Sequence, residues 1–586
     1  MRVNEVVSVP ARVSVPAIIA ARGIAHPNEP IVEIADYTPD GTVWRPLGAG
    51  EFVDRFLALA AHLAREGLAP GGRVIVWGTS GLTWNLIDLA IQAAGGVVVP
   101  IYDTASPSQA RHIIAHSRAI RAFADSDEQA RILADAGLTP IRFLDAEELL
   151  LHAPRAERTP PDLDGNELAT IVYTSGTTGT PRAVPLTHRN LGGMLLQQHP
   201  FFPEAIHNAD VRCLHFLPMA HIFARTAAYM PLAGLGVAAH VNPDHGSLVD
   251  HFQTFHPTTI GAVPRVLEKI EEAARSRATG PIAARVFAWA QHVARARAPH
   301  VRAGTAVPRW TALRYRLARR LVLDKITQTM GGNMRCIVSG GAPLDPKLDD
   351  FFTGMGIRVC NGYGMTETSG GFLCNTFTHA RPGTAGRPLP GCEARIAEDG
   401  ELQVRGLGVA NCYLDPDDPD SFTPDGWLRT GDLASIDDDG YVTIRGRVGD
   451  LIVTASGKNV QPGPVEEAIR RHPGISQVML VGESRPYVAA LVAVDDASSR
   501  ADEQTLTRVR DAIVEANEGV SRAESVRRFR IIDGDFTQDN GLLTPSLKIK
   551  RNRALEVLAD DIEALYRADA AGVHDVVGPA GGARTA

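Results

Sequence analysis

Hydrophobic positions in the first half of the chain follow two alternating periods. Apolar residues over 52–66 recur at helical spacing and stop at Gly67, and a short strand pattern follows over 73–77. A second helical pattern over 82–94 leads into another strand. Residues 166 to about 265 repeat this rhythm of strand and helix. Such alternation predicts helices layered on largely parallel sheets, so the expected fold class is α/β.

Two later segments depart from this rhythm. Residues 266–330 combine helical spacing with a strong basic charge, whereas residues 392–446 show the short, turn-separated runs of antiparallel strands. A smaller unit of strands and helices follows from about residue 450, and the end of the chain is rich in Gly and Ala, which is typical of disorder. We therefore predict three parts, namely a large N-terminal α/β domain of several subdomains with a β-rich portion (1–446), a small C-terminal α+β domain (447–569) and a disordered tail (570–586).

Composition narrows the class of protein. The 586 residues are 44% hydrophobic and 22% charged, which is ordinary for a globular enzyme. The formal net charge of −8 argues against a nucleic-acid-binding protein. The six cysteines are scattered without a Cys-x-x-Cys pair, which indicates reduced thiols in a cytoplasmic protein. The sequence shows neither a signal-peptide pattern nor an apolar run long enough for a transmembrane helix.

One hydroxyl- and glycine-rich run carries the strongest chemical signal. Hydroxyl groups donate to phosphate oxygens, and glycines let backbone N–H groups approach an anion closely. The run therefore predicts a loop that closes over a polyphosphate, and an ordinary surface turn is the alternative. A Walker P-loop is excluded because no Gly-Lys-Ser/Thr ending follows Gly176. The run consists of Thr174, Ser175, Gly176, Thr177, Thr178, Gly179 and Thr180.

A second motif sets an aromatic ring beside a hydroxyl and a carboxylate. It spans residues 361–368, where glycines flank Tyr363 and where Thr366 and Glu367 are adjacent. A tyrosine ring can stack on a purine, and a glutamate can hold Mg²⁺ beside phosphates because hard cations prefer oxygen ligands. A buried tyrosine in a turn is the alternative.

Three more residues are candidates because of their surroundings. Asp432 follows a tight turn at the end of a predicted strand, where its carboxylate can accept two ribose hydroxyls or simply cap the turn. Lys548 can offset the repulsion between an attacking carboxylate and a polyanion, although a lone lysine is usually solvated. His221 stands among apolar residues over 217–225, where the alternative is a histidine of the core.

In order and spacing, these motifs resemble the signatures of the adenylate-forming superfamily, which includes acyl-CoA synthetases, luciferases and peptide-synthetase adenylation domains. The resemblance covers about residues 17–566. Within it, the chain is most similar to long-chain fatty acid–CoA ligases, through residues 264–270, the basic insertion and the Thr-Pro-x-Leu-Lys ending at Lys548. That branch implies activation of a long-chain fatty acid by ATP and Mg²⁺ to acyl-AMP, followed by transfer to CoA.

The resemblance also implies roles for individual residues. Lys548 corresponds to the catalytic lysine, with Lys550 as the alternative, and His221 borders the carboxylate pocket. Thr366 contacts phosphate and Glu367 is the metal ligand. The resemblance implies that the small C-terminal domain is mobile about a hinge at Gly449, and that the CoA side is lined by Ser456, Gly457 and Lys458. ATP and AMP are bound by Thr174, Ser175, Gly176, Thr177, Thr178, Gly179, Gly341, Ala342, Pro343, Asn361, Gly362, Tyr363, Gly364, Asp432 and Arg447.

Two alternatives to this function remain open. Residues 182–183 are Arg-Ala where the family usually has Lys-Gly, Gly449 replaces the usual hinge side chain, and residues 411–413 also differ. These departures keep a catalytically weak lipid-binding homologue open, and the nearest alternative within the family is a fatty acyl-AMP ligase that loads a carrier protein. We find no insertion between Gly391 and Gly446 that would block domain rotation, which favours CoA.

The basic segment leaves a partner undecided. Residues 275–325 contain eleven Arg and one Lys but only one acidic residue, Asp324. One interpretation is peripheral contact with anionic lipid at the inner membrane face or with CoA phosphates, and the other is a solvated basic helix face.

Overall fold

Five β-sheets and the helices packed on them form the described part of the chain. The computed structural model describes residues 8–576 except 40, 152–157, 175–181, 199–209, 235, 242–247, 378, 416–420, 523, 538–539, 545–547 and 569. The predicted strand over 73–77 and the helices predicted over 52–66 and 82–94 are all present, so the α/β prediction is confirmed.

The strands are described in chain order. They are β1 (Pro30–Thr38), β2 (Gly41–Gly48), β3 (Arg73–Trp77), β4 (Val97–Ile101), β5 (Arg121–Ala124), β6 (Pro140–Arg142), β7 (Leu168–Thr174), β8 (Arg182–Thr187), β9 (Arg212–His215), β10 (Val237–His240), β11 (Thr259–Ala262), β12 (Cys336–Ser339), β13 (Arg358–Met365), β14 (Gly370–Cys374), β15 (Arg387–Pro388), β16 (Cys392–Ile396), β17 (Glu401–Gly406), β18 (Leu428–Ile436), β19 (Val442–Arg447), β20 (Ile452–Val453), β21 (Asn459–Val460), β22 (Ile475–Val481), β23 (Val488–Val494), β24 (Val526–Ile531) and β25 (Val573–Asp575).

The α-helices connect these strands. They are α1 (Val15–Ala25), α2 (Ala49–Arg65), α3 (Leu82–Ala93), α4 (Pro107–Ser117), α5 (Asp127–Asp135), α6 (Phe143–Leu151), α7 (His188–Gln198), α8 (Ile222–Ala233), α9 (Leu248–Phe255), α10 (Pro264–Ser276), α11 (Pro281–Ala303), α12 (Arg309–Ala318), α13 (Asp324–Thr329), α14 (Pro346–Met355), α15 (Pro462–Arg470), α16 (Glu503–Glu518), α17 (Arg551–Val557) and α18 (Ala559–Tyr566).

Two large sheets carry the N-terminal part. The first has the order β6-β5-β3-β4-β7-β8, and the second β15-β14-β13-β12-β11-β9-β10-β1-β2. Their central strands pair in parallel, because helices cross over between them. The β7–β8 pair is antiparallel and sets Thr174 opposite Arg182, on either side of the hydroxyl-rich run. Residues 175–181 of that run lie outside the described part.

The β-rich prediction over 392–446 is matched by an antiparallel sheet of order β16-β17-β18-β19. The turns between its strands contain Gly400, Gly426 and Gly440, with φ of +86°, +79° and +81°. Such φ values favour glycine because it has no Cβ. The sheet brings Asp432 on β18 opposite Arg447 on β19, so the turn pattern sets up a pair of candidate site residues.

The C-terminal part contains a separate sheet of order β22-β23-β24-β25, with α15 and α16 beside it. Its last strand corrects the prediction that the whole tail over 570–586 is disordered. Val573 and His574 pair with β24, and Asp575 accepts a hydrogen bond from Arg528 at 2.7 Å. A partner strand supplies backbone hydrogen bonds that composition cannot show. Residues 577–586 lie outside the described part.

The basic segment folds as α10 to α13, with a π-helical turn over Arg319–Leu323 between the last two helices. Its breaks coincide with Gly280 and Gly304, whose φ values are +87° and +64°. Along α11, Phe287 and Val293 are buried in a core shared with Phe351 of α14. Among the described residues, no helix is both long and apolar enough to cross a bilayer.

Candidate active site

A cavity of about 2920 Å³ lies at the junction of the N-terminal sheets, the β16–β19 sheet and the C-terminal part. Its walls include the ends of β12 and β13, the facing strands β18 and β19, Thr544, and residues between Lys548 and Glu556. Parallel strands end here, and such sheet edges commonly hold ligands. The cavity is large enough to hold several substrate groups at once.

The polar end of the cavity is organised around Asp432. One of its carboxylate oxygens accepts a hydrogen bond from the Tyr363 hydroxyl at 2.6 Å, and the other accepts from Arg447 Nε at 3.0 Å. Asp432 is 7% exposed. Burial and the neighbouring Asp432 raise the pKa of Tyr363 well above its usual value, so the phenol remains a donor. The ring and the carboxylate are therefore held at fixed positions in the cavity wall.

Close backbone packing supports Tyr363. The strand β13 pairs antiparallel with β14, and a Cβ on Gly364 would lie 1.6 Å from the carbonyl oxygen of Gly370. Only glycine can occupy this position without displacing β14. The Gly-Tyr-Gly pattern therefore has a structural cause at its second glycine, and it fixes where the tyrosine ring stands.

A buried carboxylate stands farther along the same wall. Glu367 is 6% exposed and accepts a hydrogen bond from the Tyr413 hydroxyl at 2.7 Å. The guanidinium of Arg182 lies 5.4 Å from the centroid of the Tyr413 ring. Burial raises the pKa of Glu367, and the Tyr413 hydrogen bond opposes that rise. A cation near this carboxylate would favour its ionised form.

Lys548 reaches the cavity from the C-terminal part. The backbone N–H of Lys548 donates to Thr544 Oγ1 at 3.0 Å, and the Thr544 N–H donates to the Lys548 carbonyl at 2.8 Å. The side chain keeps solvent access because it projects into the open cavity. Surrounding protein nevertheless desolvates the ammonium and, with Arg447, lowers its pKa, while Asp432 acts in the opposite direction.

His221 is the N-cap of α8 and lines the cavity. Its Nδ1 accepts a hydrogen bond from the Phe223 N–H at 3.2 Å, so the neutral ring carries its proton on Nε2. Burial, with a smaller effect of Lys548, lowers the pKa of His221 to about 4. The imidazole is therefore an uncharged donor at neutral pH.

The helix that carries His221 is anchored by a fully buried polar network. Arg225 forms an ion pair with Asp88 of α3, and both side chains are fully buried. The same guanidinium donates to the Tyr229 hydroxyl and to the Thr170 hydroxyl, each at 2.8 Å. Because Thr170 lies on β7, the network ties α3, α8 and the strand that leads into the hydroxyl-rich run.

An apolar arm extends from the polar end between the helices of the basic segment. Val266, Ile270 and Ala274 line it from one face of α10. Val286 and Phe287 line it from α11. Sequence reasoning considered only the charge of this segment, whereas the structure turns its apolar faces towards the cavity. Arg277 and Lys325 of the segment also line the cavity, so its charge is not confined to the outer side.

The structure brings most of the predicted site residues into one cavity wall but not all. Ser175, Gly176, Thr177, Thr178 and Gly179 lie outside the described residues. Ser456, Gly457 and Lys458 form an exposed turn between β20 and β21 and do not line the cavity. The predicted residues that line it are Thr174, His221, Gly341, Ala342, Pro343, Asn361, Gly362, Tyr363, Gly364, Thr366, Glu367, Asp432, Arg447, Gly449 and Lys548.

Two contacts at the site were not predicted from the sequence. Tyr413 holds Glu367 across 46 positions of the chain, and Glu268 of α10 binds Arg470 of α15 across 202 positions. Neither pair belongs to a local pattern, because each partner lies in a different element. Only the departure from the family pattern at 411–413 drew attention to the neighbourhood of Tyr413.

The sequence matches one known family over most of its length. The pattern of the family described as AMP-binding enzyme matches residues 26–414, and that of the AMP-binding enzyme C-terminal domain matches residues 449–570. The chain belongs to the AMP-binding enzyme family. This membership confirms the resemblance to adenylate-forming enzymes that the motifs indicated.

Curated relatives within the family are named as ligases. The chain is 36% identical to the long-chain-fatty-acid–CoA ligase FadD15 of Mycobacterium bovis, over 94% of this chain and 97% of the relative. It is 28% identical to the human long-chain-fatty-acid–CoA ligase ACSBG1, over 89% of this chain and 82% of the relative.

Solved structures of the family share the fold. ATP-bound MatB from Rhodopseudomonas palustris superposes with a TM-score of 0.70 at 24% identity, covering 93% of this chain and 99% of the other. The adenylation domain of a carboxylate reductase from Mycobacterium chelonae gives 0.74 at 21% identity, covering 94% and 91%. At these identities the likeness concerns the fold alone.

Proposed function

We propose that this protein is an ATP-dependent long-chain-fatty-acid–CoA ligase. In the first half-reaction, a fatty carboxylate oxygen attacks the α-phosphorus of ATP. The bond between that phosphorus and the oxygen that bridges to the β-phosphorus breaks, and pyrophosphate leaves. In the second, the CoA sulfur attacks the acyl carbon of the acyl-adenylate, and AMP leaves as the thioester forms. The relatives named as long-chain-fatty-acid–CoA ligases at 36% and 28% identity support this assignment.

The observation that supports this function most directly is the shared cavity. Lys548 from the C-terminal part faces the same space as Asp432 and His221 from the N-terminal part, and Arg447 lines it at the proposed boundary between the two. The apolar arm along α10 and α11 is continuous with that polar end. The polar end can therefore bind a nucleotide and a carboxylate, and the apolar arm can bind a long hydrocarbon chain.

The nucleotide fits the polar end. In the proposed complex, the Tyr363 ring stacks on adenine, the Asp432 carboxylate accepts the ribose hydroxyls, and Arg447 stays next to both. The Tyr363 hydroxyl and Arg447 Nε fix the Asp432 carboxylate before any ligand arrives. A carboxylate that is already oriented loses less conformational entropy on binding. Thr174, Gly341 and Asn361 complete the proposed nucleotide wall.

The carboxylate and the phosphates meet at Lys548. Two anionic groups repel each other as they approach, and a cation between them stabilises the transition state most when it is already in place. Protein surroundings lower the pKa of Lys548, and a bound polyanion would raise that pKa again, so binding favours the charged ammonium. The Nε2–H of neutral His221 can donate to the fatty carboxylate without adding a charge.

Glu367 fits the proposed role of Mg²⁺ ligand. Its buried carboxylate lines the cavity, and Mg²⁺ is commonly held by one or two carboxylates with substrate phosphates completing its oxygen shell. Among the described residues no cluster of three His, Cys, Asp or Glu could hold a metal alone. The ion, when bound, would supply positive charge against the phosphates beside Thr366.

CoA transfer requires a change of arrangement in this proposal. Ser456, Gly457 and Lys458 are exposed and lie apart from the cavity, so they could reach it only after the proposed 447–569 domain turns at Gly449. Gly449 has open space where a Cβ would stand, and it lies in a short 3₁₀ turn over Val448–Asp450. The division at 446/447 and the CoA-side roles therefore remain predictions.

The test is a measurement of AMP and acyl-CoA production from ATP and Mg²⁺. Fatty acids from short to long chain length are compared with and without CoA. We expect turnover that requires CoA and rises with chain length, because each buried methylene contributes about 0.8 kcal/mol. Acyl-adenylate without thioester would instead favour a ligase that loads a carrier protein. Absence of AMP with every acid would favour a catalytically weak lipid-binding homologue.

A further inference from the structure

The helix α10 runs from the polar end of the cavity along the apolar arm. It follows Val263, whose Cγ1 would lie 3.6 Å from a Cβ on Gly341 in the proposed nucleotide wall. Ile270 and Ala274 continue the cavity lining along the helix, and Arg277 lines the cavity just beyond its last residue. The helix therefore separates Val263 from Arg277 by about 20 Å, because each residue advances it by about 1.5 Å.

Arg277 belongs to a compact polar group at this far end of the arm. Its Nη1 donates to Thr329 Oγ1 at 3.4 Å, and that hydroxyl donates to the Lys325 carbonyl at 3.0 Å. Lys325 and Thr329 are four residues apart on α13, so their side chains lie on the same face of that helix. All three residues line the cavity. An arm with apolar walls thus ends at two cations and a hydroxyl.

The two cations have no counterion in the part of the chain that the structure describes. Arg277 and Lys325 are exposed, and neither forms an ion pair with a described residue. Asp324, next to Lys325 in the chain, binds Arg319 at 2.8 Å, and Glu271 binds another arginine of α10 at 2.6 Å. Two like charges held near each other repel, and an anion between them would remove that repulsion.

The place of this group indicates which anion it suits. The methyl end of an ordinary fatty acid gains nothing from two cations, whereas a second carboxylate would pair with both. Because Arg277 and Lys325 keep solvent access, a carboxylate between them loses only part of its hydration. A hydrocarbon chain of about 16 carbons spans about 20 Å when extended, since its C–C bonds are about 1.5 Å long and advance in a zigzag. That length matches the distance along α10.

We propose that the cavity also accepts long-chain α,ω-dicarboxylic acids, whose distal carboxylate binds Arg277 and Lys325. The proximal carboxylate lies at Lys548 and His221, and the hydrocarbon between the two carboxylates fills the arm. The proximal carboxylate reacts as in the ligase reaction above, and the distal carboxylate stays free in a product that carries one CoA. This inference rests on the proposed ligase function for the reaction, but binding of the distal carboxylate does not require turnover.

The substrate class is tested by comparing hexadecanedioic acid with hexadecanoic acid. The measured quantity is kcat/KM for AMP release with each acid, at fixed ATP, Mg²⁺ and CoA. One variant, Arg277→Gln with Lys325→Gln, removes both charges. The matched control is Arg275→Gln with Lys347→Gln, at exposed positions that do not line the cavity.

The ratio of kcat/KM for the dicarboxylic acid to that for the monocarboxylic acid reports on the distal site. In the double variant this ratio should fall about fivefold to tenfold below its native value, because two partly exposed charge pairs are lost. The control should keep the native ratio. An unchanged ratio in the double variant would overturn the proposal. A higher KM for CoA with an unchanged ratio would also overturn it, because the group would then bind CoA phosphates.

Reversal of the charges gives a second measurement that loss of folding cannot imitate. The variant Arg277→Glu with Lys325→Glu should prefer ω-aminohexadecanoic acid to hexadecanedioic acid, whereas the native protein should show the opposite preference. A partly unfolded variant would lose activity with both acids and would not exchange its preference. The native preference in the charge-reversed variant would overturn the proposal.

Binding is measured separately by displacement of a fluorescent fatty acid, which needs no turnover. Relative to hexadecanoic acid, hexadecanedioic acid should displace the probe about fivefold to tenfold less effectively from the Gln double variant than from the native protein. Equal relative displacement would overturn the distal site. If no protein released AMP with either acid, the ligase function would be refuted instead, and displacement would still decide whether the distal site exists.

Discussion

The Glu268→Gln substitution tests whether ion pairs hold Lys548 in the cavity. The Glu268 carboxylate on α10 accepts from both terminal nitrogens of Arg470 on α15, each at 3.2 Å. Arg471 approaches Asp345 at 3.6 Å as a second contact between the same parts. The side chains of Arg470 and Glu268 are 17% and 15% exposed, so the first pair is mostly shielded from water.

The magnitude follows from this geometry. A hydrogen bond to a charged group contributes about 1.5–3 kcal/mol when it is shielded. We take about 2 kcal/mol for the loss of charge at Glu268, because Arg265 also binds the same carboxylate at 3.1 Å and would retain a weaker contact with an amide. A change of about 2 kcal/mol shifts the equilibrium constant by a factor of about 30, away from the arrangement seen here and towards one in which the C-terminal part is released.

The assay separates the half-reactions. Fatty-acid-dependent exchange of pyrophosphate into ATP should fall by up to about 30-fold, and by less if the present arrangement strongly dominates. Thioester formation from supplied acyl-adenylate and CoA should be unchanged or faster, because release of the C-terminal part is then favoured. The matched control is Glu467→Gln, which removes a carboxylate from the same Arg470 within its own helix, at 2.9 Å.

Two results would refute this reasoning. If Glu268→Gln left both half-reactions at the native rate, the pair would not govern the arrangement. If it slowed both equally, the substitution would have damaged the N-terminal site. An effect of Glu467→Gln as large as that of Glu268→Gln would show that Arg470 matters only for the stability of its own helix.

Three further predictions follow from the site and its surroundings. Lys548→Ala should reduce adenylation by about 10²–10³ and spare thioester formation, whereas Lys550→Ala should reduce neither by more than a few-fold. Gly449→Ala fits the present arrangement, so adenylation should be retained while CoA transfer slows; equal rates would contradict a hinge role. Burial lowers the pKa of His215 to about 4, so the unfolded chain binds more protons between pH 4 and 6.5, and the melting temperature should fall as pH drops through that window. His215→Gln should weaken that dependence but not abolish it, because burial also lowers the pKa of His188, His221 and His240.

Local patterns predicted the elements that carry the site because each depends on a few consecutive residues. The strand at 73–77 was predicted with its observed bounds. The Gly-Tyr-Gly motif lies on β13, and the turn before Asp432 formed at Gly426. Backbone conformation at such positions is fixed by residue type, so sequence alone suffices.

Pairings between distant residues could not be obtained in this way. Arg225 and Asp88 are 137 positions apart and form a buried ion pair, yet an arginine in the motif around His221 gives no sign of its partner. The tail shows the same limit. Val573–Asp575 has no strong strand pattern of its own, and it becomes a strand because β24 offers an unpaired edge.

By itself the sequence determined the fold class, the order of the motifs and the chemistry that each side chain can perform. Only the tertiary structure decided that Lys548 and Asp432 line one cavity. It also decided that the basic segment packs apolar side chains against the cavity while Trp310, Leu313 and Leu317 stay exposed. The physical reason is that residue type sets local conformation and charge. Which faces meet depends on how all the elements pack to bury apolar surface together.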